Sequence, residues 1–389
     1  MANERVPAAP RLAGMQVTVD LGALVANWRA LDAMTPSAET AATVKANAYG
    51  CGLERAGVAL HKAGCKSFFV ALPEEAIILR RVLGAEPDIY LFNGLMGGSD
   101  LTMTYLENAL TPVISSHQDM QVWLDGLRAR GQHAPSALHV DTGMNRLGLT
   151  MAEHAALLQD SASLQALNPT LIMSHLACAD EAEHPHNEMQ LSRFQQVAAG
   201  MPKTRASLAN SGAHFLGGDY AFDLTRPGIA LYGGECQAPG VNPMQTVVTA
   251  KARILATRHV RAGETIGYGA SHRFEAAATV AIVSAGYADG YHRAASGSGV
   301  ALRGAEPTGA KMRYGRHLVP VAGRVSMDLT AIDISAVPES ERIENWVQLF
   351  GPDLAVDDAA RAAGTIGYEL LTGLSPRAAY SYIEPSENA

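Results

Sequence analysis

The sequence has few cysteines and no long apolar segment. Its four cysteines, Cys51, Cys65, Cys178 and Cys236, are scattered along 389 residues without a paired spacing, which excludes a disulfide framework. No apolar run reaches the roughly 18 residues of a membrane-spanning helix. The first residues, MANERVPAAPRLAG, contain no apolar segment typical of a secretion signal. We therefore expect a protein of the reducing cytoplasm without membrane contact.

The chain also lacks basic charge and the motifs that bind nucleotides. It has 30 Lys and Arg against 38 Asp and Glu, a net charge of −8. The chain therefore lacks the basic surface that binds nucleic acid by releasing its counterions. Neither G-x-x-x-x-G-K-[ST] nor a strand-linked G-x-G-x-x-G occurs. A composition of 48% hydrophobic and 17% charged residues is typical of a compact enzyme or binding protein.

What the sequence does contain is a regular alternation of strand and helix patterns. Short apolar runs occur in AATVK, SFFVA, DIYLF, TPVI, ALHVD, TLIMSH, ASLAN and DLTRPGIALY. Helical spacing lies between them, at 53–63, 73–83, 99–109, 116–130, 151–160 and 187–200. Eight strands alternating with helices favour a (β/α)8 TIM-like barrel over a doubly wound sheet.

The pattern changes near residue 240. TVVTAKARILATRHV, ATVAIVSAG and AIDIS are rich in β-branched residues and lack long helices between them, which predicts a second, mainly β C-terminal domain. VDDAARAAGTIGYELLTGL reads as two helices broken at Gly364. The predicted organisation is an N-terminal tail and first strand (1–16), a barrel (17–240) and a β domain (241–389).

Several of the predicted barrel strands end in a polar group. Lys45 follows ATV, Asp141 follows LHV, His175 follows LIMS, and Asn210 and Ser211 follow SLA. The carboxyl ends of barrel strands share one mouth, where active sites of this fold lie. A partly desolvated lysine at the mouth favours its neutral, nucleophilic form, so Lys45 is a candidate Schiff-base lysine. The alternative is a lysine that extends its amine to solvent or pairs with a carboxylate.

Glycine-rich segments offer candidate phosphate contacts at the same mouth. Tyr49 and the glycines of AYGCG, with the segments ANSGAH and RPGIALYGG, can present hydroxyls and closely approaching backbone N–H groups. Each segment alone could be a simple turn.

Taken together and in order, the motifs identify a family. VKANAYGCG, HVDTGMNRLGL, SHLACADE, RPGIALYG, IGYGASH, AGYADGY, GRVSMD and GTIGYELL resemble those of alanine racemases, from residue 17 to about 380. The resemblance implies a pyridoxal 5′-phosphate (PLP) enzyme of the barrel-type fold class that acts on alanine. It also implies a homodimer whose active sites are shared between one barrel and the partner's β domain.

Carried over by motif, the resemblance assigns the catalytic residues. Lys45 would hold PLP covalently and act as the base on one face of the substrate Cα, and Tyr268 would act on the opposite face. His175 and Arg226 would assist Tyr268, because a phenol is a poor base at neutral pH. Arg226 would also donate to the pyridine nitrogen, which weakens PLP as an electron sink and limits transamination.

The resemblance also assigns binding residues, which form two groups. The cofactor contacts would be Lys45, Tyr49, Asn210, Ser211, Arg226, Gly228, Ile229 and Tyr368. The substrate carboxylate would contact Arg146 and the backbone N–H of Met327; Met327, Tyr268 and Tyr368 would confine the side-chain pocket, and Tyr287 would stand in the access channel. A small amino acid is therefore expected.

Two positions depart from the family pattern. Many members carry a carbamylated lysine two residues before the aspartate of DTGM, and this chain has His139 there. Because no carbamate can form on histidine, we expect a bound anion such as chloride, or a nearby carboxylate, to balance Arg146. The second departure is Asn145, where glycine is commoner.

Other functions remain as alternatives. His175, Cys178, His184 and His186 could suggest zinc, but their spacing fits no standard site, and we expect no metal. A non-catalytic PLP-binding protein would resemble only the barrel, and a PLP decarboxylase of this fold class would need a late cysteine, whereas none follows Cys236. Serine or broad-specificity racemisation stays open, as does whether D-alanine is made as a peptidoglycan precursor or degraded.

Overall fold

The computed structural model describes residues 12–96, 98–201, 203–237, 242–297 and 309–386. They divide into two compact units. One unit spans Leu24–Met244, and the other holds the described residues up to Ala23 together with those from Gln245 onward.

The elements of the described residues are as follows. The helices are α1 (Leu21–Met34), α2 (Lys45–Tyr49), α3 (Leu53–Lys62), α4 (Pro73–Leu83), α5 (Thr102–Glu107), α6 (His117–Arg128), α7 (Met151–Gln159), α8 (Ser161–Leu167), α9 (Pro185–Ala199), α10 (Val356–Ala362) and α11 (Gly367–Thr372). The strands are β1 (Met15–Asp20), β2 (Glu39–Thr40), β3 (Ala42–Thr43), β4 (Ser67–Val70), β5 (Asp88–Leu91), β6 (Thr111–Ile114), β7 (Ser136–His139), β8 (Pro169–Met173), β9 (Arg205–Ser207), β10 (Leu224–Thr225), β11 (Val248–Val260), β12 (Thr265–Ile266), β13 (His272–Arg273), β14 (Ala278–Val283), β15 (Lys311–Tyr314), β16 (His317–Pro320), β17 (Thr330–Asp333), β18 (Trp346–Phe350) and β19 (Ala379–Ile383). Within the described residues no helix is long and apolar enough to cross a bilayer.

The first unit is a parallel barrel. Its sheet runs in the order β3-β4-β5-β6-β7-β8-β9, and β10 pairs in parallel with β2. Two hydrogen bonds set β10 between the ends of that sheet, from Ala41 N–H to the Thr225 carbonyl (2.9 Å) and from Arg226 N–H to the Ala209 carbonyl (2.9 Å). The predicted (β/α)8 fold is confirmed.

Helices connect the barrel strands largely where their spacing predicts them. The predicted helix at 99–109 is a 3-10 turn, Gly98–Leu101, followed by α5. Helix α8 is not predicted from the sequence; it begins at Ser161, and only Asp160 separates it from the end of α7 at Gln159. The carboxylate of Asp160 caps α8 by accepting from Ser163 N–H at 3.0 Å.

The barrel interior is packed with apolar and aromatic side chains. Its members are fully or almost fully buried: Ala41, Phe69, Tyr90, Val113, Ala137, Leu171, Met173 and Leu224. Phe69 stacks on Tyr90 and Phe92, with ring centroids 4.7 and 5.0 Å apart. Phe69 therefore lies at the centre of the barrel's aromatic core.

The second unit is mainly β, which confirms the predicted domain type. Its largest sheet contains the path β16-β15-β18-β11-β1-β19, and β14 pairs with both β11 and β17. As predicted, Gly364 separates two helices, α10 and α11.

The first strand, β1, pairs within the second unit. It is antiparallel to β11 and parallel to β19, although the sequence reading placed residues 17–240 in the barrel. Residues 17–23 lie in the second unit because the partners of β1 are at the other end of the chain.

We predict that Phe69→Ala lowers the free energy of unfolding by about 3–5 kcal/mol, since it removes a buried ring and leaves a cavity. Urea unfolding followed by tryptophan fluorescence measures the change. Leu72→Ala is the control, because Leu72 is 38% exposed and its truncation should cost far less. Equal stability losses for the two variants would contradict the assigned core.

Candidate active site

The strand-end residues of the barrel form an electropositive cluster. The cations of Lys45, Arg146 and Arg226, with His139, all lower the pKa of His175. Burial of the His175 ring is the largest cause, and it holds this pKa well below the usual histidine value. His175 is therefore a neutral imidazole among cations.

Lys45 is half-buried and lies two residues after the end of β3. Burial, and then the charge of Arg146, lower the pKa of its amine, while Glu75 acts in the opposite direction. Its Nζ lies 5.6 Å from the centroid of the Phe92 ring. These surroundings favour the neutral, nucleophilic amine that a Schiff-base lysine requires.

The segment α2 is not a right-handed helix after Lys45, because its backbone there forms a left-handed turn. Residues 46–49 all have φ between 52° and 56°, a conformation that costs roughly 1–2 kcal/mol per non-glycine residue. Two bonds of Asn47 hold the turn: its Oδ1 accepts from Leu53 N–H (2.8 Å), and its own N–H donates to Glu75 Oε1 (3.3 Å). Strain of this kind is found at functional sites.

Tyr49 ends that turn and is buried. Its ring stacks on Tyr232 at 4.5 Å between centroids, and Tyr232 Oη donates to the Thr43 carbonyl at 3.0 Å. A Cβ added at Gly228 would lie 2.3 Å from the Tyr49 hydroxyl oxygen, so any larger residue there would displace the hydroxyl. Burial raises the pKa of Tyr49, which keeps the hydroxyl a hydrogen-bond donor.

Ser211 lies beside backbone N–H groups near Tyr49. Its Oγ accepts from Gly228 N–H (2.8 Å) and Ala230 N–H (3.3 Å), at the start of the 3-10 turn Ile229–Tyr232. Hydroxyls and N–H groups gathered at such a turn suit a phosphate. The neighbouring Asn210 uses its Oδ1 to accept from Ala213 N–H at 3.1 Å.

Arg226 is the most deeply buried cation of the site. Its guanidinium donates to Ser207 Oγ, to the Ser174 carbonyl (2.6 Å) and to the Leu208 carbonyl (3.4 Å). Burial lowers the pKa of Arg226 to about 9, so it remains protonated at neutral pH. The described residues contain no hydrogen bond between this guanidinium and the ring of His175.

The carboxylate of Asp141 shapes the loop that carries Arg146. It accepts from the backbone N–H groups of Gly143 (2.9 Å), Met144 (2.9 Å) and Asn145 (3.0 Å). Asn145 has φ 56°, and asparagine is among the residues that tolerate this left-handed conformation. Asparagine therefore meets the requirement of this position for a residue that tolerates a positive φ.

Arg146 itself is exposed, and within the described ranges it makes no hydrogen bond or ion pair. His139 lies at the end of β7, with Nδ1 3.5 Å from Ser115 Oγ. Burial, Arg226 and Arg146 lower the pKa of His139 to about 4, against the opposing charge of Asp141. A neutral His139 cannot balance Arg146.

The remaining predicted residues lie in the second unit. Tyr268, Tyr287, Met327 and Tyr368 are 70%, 44%, 54% and 37% exposed. The segments of Tyr287 and Met327 are bonded to each other, through Tyr287 N–H to the Ser326 carbonyl (3.1 Å) and Ala288 N–H to the Met327 carbonyl (3.0 Å).

The histidines considered for zinc have structural partners. His184 accepts at Nδ1 from His186 N–H (3.2 Å) at the start of α9, and His186 Nε2 lies 3.0 Å from the Gly143 carbonyl. Among the residues that the structure describes, no three His, Cys, Asp or Glu side chains are grouped as metal ligands.

Two residues that bond within this site, Glu75 and Ser207, are not predicted from the sequence. Glu75 lies in the first turn of α4, where its Oε2 accepts from Ala71 and Leu72 N–H at 3.0 and 3.2 Å. The acidic pair after Pro73 signals a helix start, but nothing local indicates that Glu75 also bonds the turn after Lys45. Ser207 is one serine of a β-strand, with no local signal at all.

This chain is similar to known proteins over almost its whole length. The alanine racemase N-terminal domain family matches residues 19–236, and the C-terminal domain family matches residues 247–382. An alanine racemase of Rhizobium meliloti is 49% identical over 95% of this chain and 97% of its own. A biosynthetic alanine racemase of Agrobacterium fabrum is 46% identical over 95% and 94%.

Solved structures are similar over the same length. The alanine racemase of Bartonella henselae with covalently bound pyridoxal phosphate has a TM-score of 0.88 and 34% identity, covering 95% of this chain and 100% of its own. The biosynthetic enzyme of Pseudomonas aeruginosa has a TM-score of 0.86 and 34% identity, covering 95% and 99%.

We predict that Gly228→Ala displaces the Tyr49 hydroxyl and lowers stability by about 1–3 kcal/mol, the usual cost of overpacking. Thermal unfolding measures it. Gly218→Ala is the matched control. A Cβ at Gly218 meets nothing within 4 Å, and the φ of Gly218 lies outside the left-handed range that disfavours alanine. Equal melting temperatures for the two variants would show that Gly228 is not needed to make room for the Tyr49 hydroxyl.

Proposed function

Since this chain belongs to the alanine racemase family, we propose that it racemises alanine with two proton-transferring groups, Lys45 and Tyr268, on opposite faces of the substrate Cα. Racemisation of alanine is the activity of the enzyme, and PLP is its cofactor. The observation that carries the two-group proposal is Lys45, a strand-end amine whose pKa is lowered in a cluster of cations.

The donor set of the barrel unit fits PLP. Lys45 would bond the cofactor covalently, and the hydroxyls of Tyr49 and Ser211 would hold its phosphate with the backbone N–H groups of Gly228 and Ile229. Asn210, at the same strand end, and Tyr368 are further proposed contacts. When bound, PLP supplies the electron withdrawal that acidifies the Cα–H of the amino acid.

Lys45 is suited to one of the two proton transfers. Burial and the charge of Arg146 lower the pKa of Nζ and so favour its neutral form when it is free. A neutral amine can take a proton from Cα and, as an ammonium, return it to the same face. Inversion therefore needs a second group on the other face.

We propose Tyr268 as that second group. A phenol acts as a base only if its own proton is passed on. His175, held neutral by burial and by the surrounding cations, would accept the phenol proton as the Tyr268 oxygen takes the proton from Cα, and would return it in the reverse direction. The neutral form of the His175 ring is therefore the one that this step requires.

Arg226 would donate to the pyridine nitrogen. A guanidinium does not give up its proton at ordinary pH, and even with a pKa of about 9 Arg226 is charged at pH 7. It would hold the nitrogen unprotonated and moderate the acidification of Cα. This favours return of the proton to Cα over transamination.

The substrate would be held at its carboxylate and confined at its side chain. Arg146 and the backbone N–H of Met327 would bind the carboxylate, while Met327, Tyr268 and Tyr368 would restrict the pocket and Tyr287 would line the access channel. These side chains are large and more than a third exposed in the second unit, which supports a partner covering them. We propose a cytoplasmic homodimer with shared active sites.

Exchange of the Cα proton tests the two-group scheme. We predict that Lys45→Ala abolishes racemisation of L-alanine and loses the borohydride-fixed cofactor of the wild type. Tyr268→Phe should lower racemisation by about 10²–10⁴-fold, the usual contribution of a positioned base, while one enantiomer still exchanges without inversion. Proton NMR and chiral chromatography measure both, with L-serine as a second substrate.

Lys62→Ala, at an exposed lysine of α3, is the matched control for Lys45→Ala. Tyr268→Phe racemising both enantiomers at the wild-type rate would remove the two-group scheme. Absence of any borohydride-fixed cofactor in the wild type would remove the covalent role of Lys45, and faster turnover of L-serine than of L-alanine would reassign the substrate.

We further propose that an anion such as chloride balances Arg146, because no carboxylate pairs with it in the described ranges and His139 is neutral. Replacing chloride by gluconate should then raise KM for L-alanine several-fold with little change in kcat. His139→Gln should keep this dependence, and Arg146→Ala should lose it. Equal KM values in the two salts would show that no chloride serves there.

A further inference from the structure

Helix α9 presents a polar stripe to the loop that carries Arg146. His186, Gln190 and Arg193 are spaced i, i+4, i+7 and so share one helix face. His186 Nε2 lies 3.0 Å from the Gly143 carbonyl, and Arg193 Nη1 donates to the Thr142 carbonyl at 3.0 Å. Gln190 Nε2 donates to Thr142 Oγ1 at 3.1 Å.

Gln190 also holds the loop that carries His175. Its Nε2 donates to the His175 carbonyl at 2.9 Å, and its Oε1 accepts from Ala177 N–H at 2.8 Å. The Gln190 side chain is fully buried. A single amide therefore connects the loop after β7 with the loop after β8.

The connection continues to Arg226. Thr142 Oγ1 lies 2.8 Å from Ser174 Oγ, and the Ser174 carbonyl accepts from Arg226 Nη2 at 2.6 Å. Thr142, Ser174, Gln190 and Arg226 are all buried. Buried polar groups of this kind are costly to leave unpaired, so the network permits few other arrangements.

We propose that Gln190 is a positioning residue of the racemase. It fixes the loop that carries Arg146 relative to the loop that carries His175, so that the carboxylate-binding group and the group that assists proton transfer keep one relative position. This inference rests on the proposed roles of Arg146 and His175. Gln190 acts through the backbone of His175 and the hydroxyl of Thr142, and it makes no contact with substrate in this role.

Gln190→Met tests the role, because methionine is unbranched and of similar size but makes none of the three hydrogen bonds. We expect the Kd of propionate, which carries the carboxylate of alanine without its amine, to rise about tenfold in titration calorimetry. KM for both enantiomers should rise and kcat should fall. Gln195→Met, the same change at an exposed position of α9, should behave as wild type.

Thr142→Val and Thr142→Ser provide the second arm, which decides the question if Gln190→Met does not fold. Valine removes only the hydroxyl that Gln190 and Ser174 share, so propionate should again bind several-fold more weakly, whereas serine should restore wild-type binding. The proposal is overturned if Gln190→Met or Thr142→Val lowers Tm while propionate Kd, KM and kcat stay at wild-type values. A wild-type protein that does not racemise alanine would instead refute the proposed function, and the two failures are distinct.

Discussion

The barrel mouth depends on a buried guanidinium that has no carboxylate partner within the described residues. Arg226 is held by Ser207 Oγ and by the carbonyls of Ser174 and Leu208, all neutral groups. Burying a charge is costly without compensation, and here dipoles from two strand ends supply it. The uncancelled charge adds to burial in lowering the pKa of His175. The site can therefore attract phosphate and carboxylate while its histidines stay neutral.

The same electrostatic balance extends to the turn after Lys45. Four consecutive non-glycine residues, 46–49, adopt a left-handed conformation, at a cost of several kcal/mol by the usual estimate of about 1–2 per residue. The bonds of Asn47 and the stacking of Tyr49 on Tyr232 offset that cost. Glu75 both bonds this turn and opposes the effect of Arg146 on the pKa of Lys45. One carboxylate thus acts on both the backbone of this turn and the pKa of the amine.

Local patterns of the sequence were sufficient for the barrel but not for its polar interior. Buried parallel strands read as apolar runs, and the group that follows each run lies at the mouth, so Lys45 and His175 could be found without a structure. Strand β1 could not be assigned, because its partners β11 and β19 are some 230 and 360 positions away. Gln190 and Ser207 could not be found either, because a buried hydrogen bond between distant loops leaves no periodicity.

A neutral amide suits the position of Gln190 for a reason that follows from its partners. The His175 carbonyl requires a donor and Ala177 N–H requires an acceptor, so the side chain must supply both at one place. A glutamate would present only acceptors to the carbonyl, and a lysine only donors to the N–H; either would also add a charge to a buried network next to Arg226. Asparagine has the right chemistry on a shorter stem. Glutamine is the residue that satisfies both loops while leaving the charge balance of the mouth to Arg226 and Lys45.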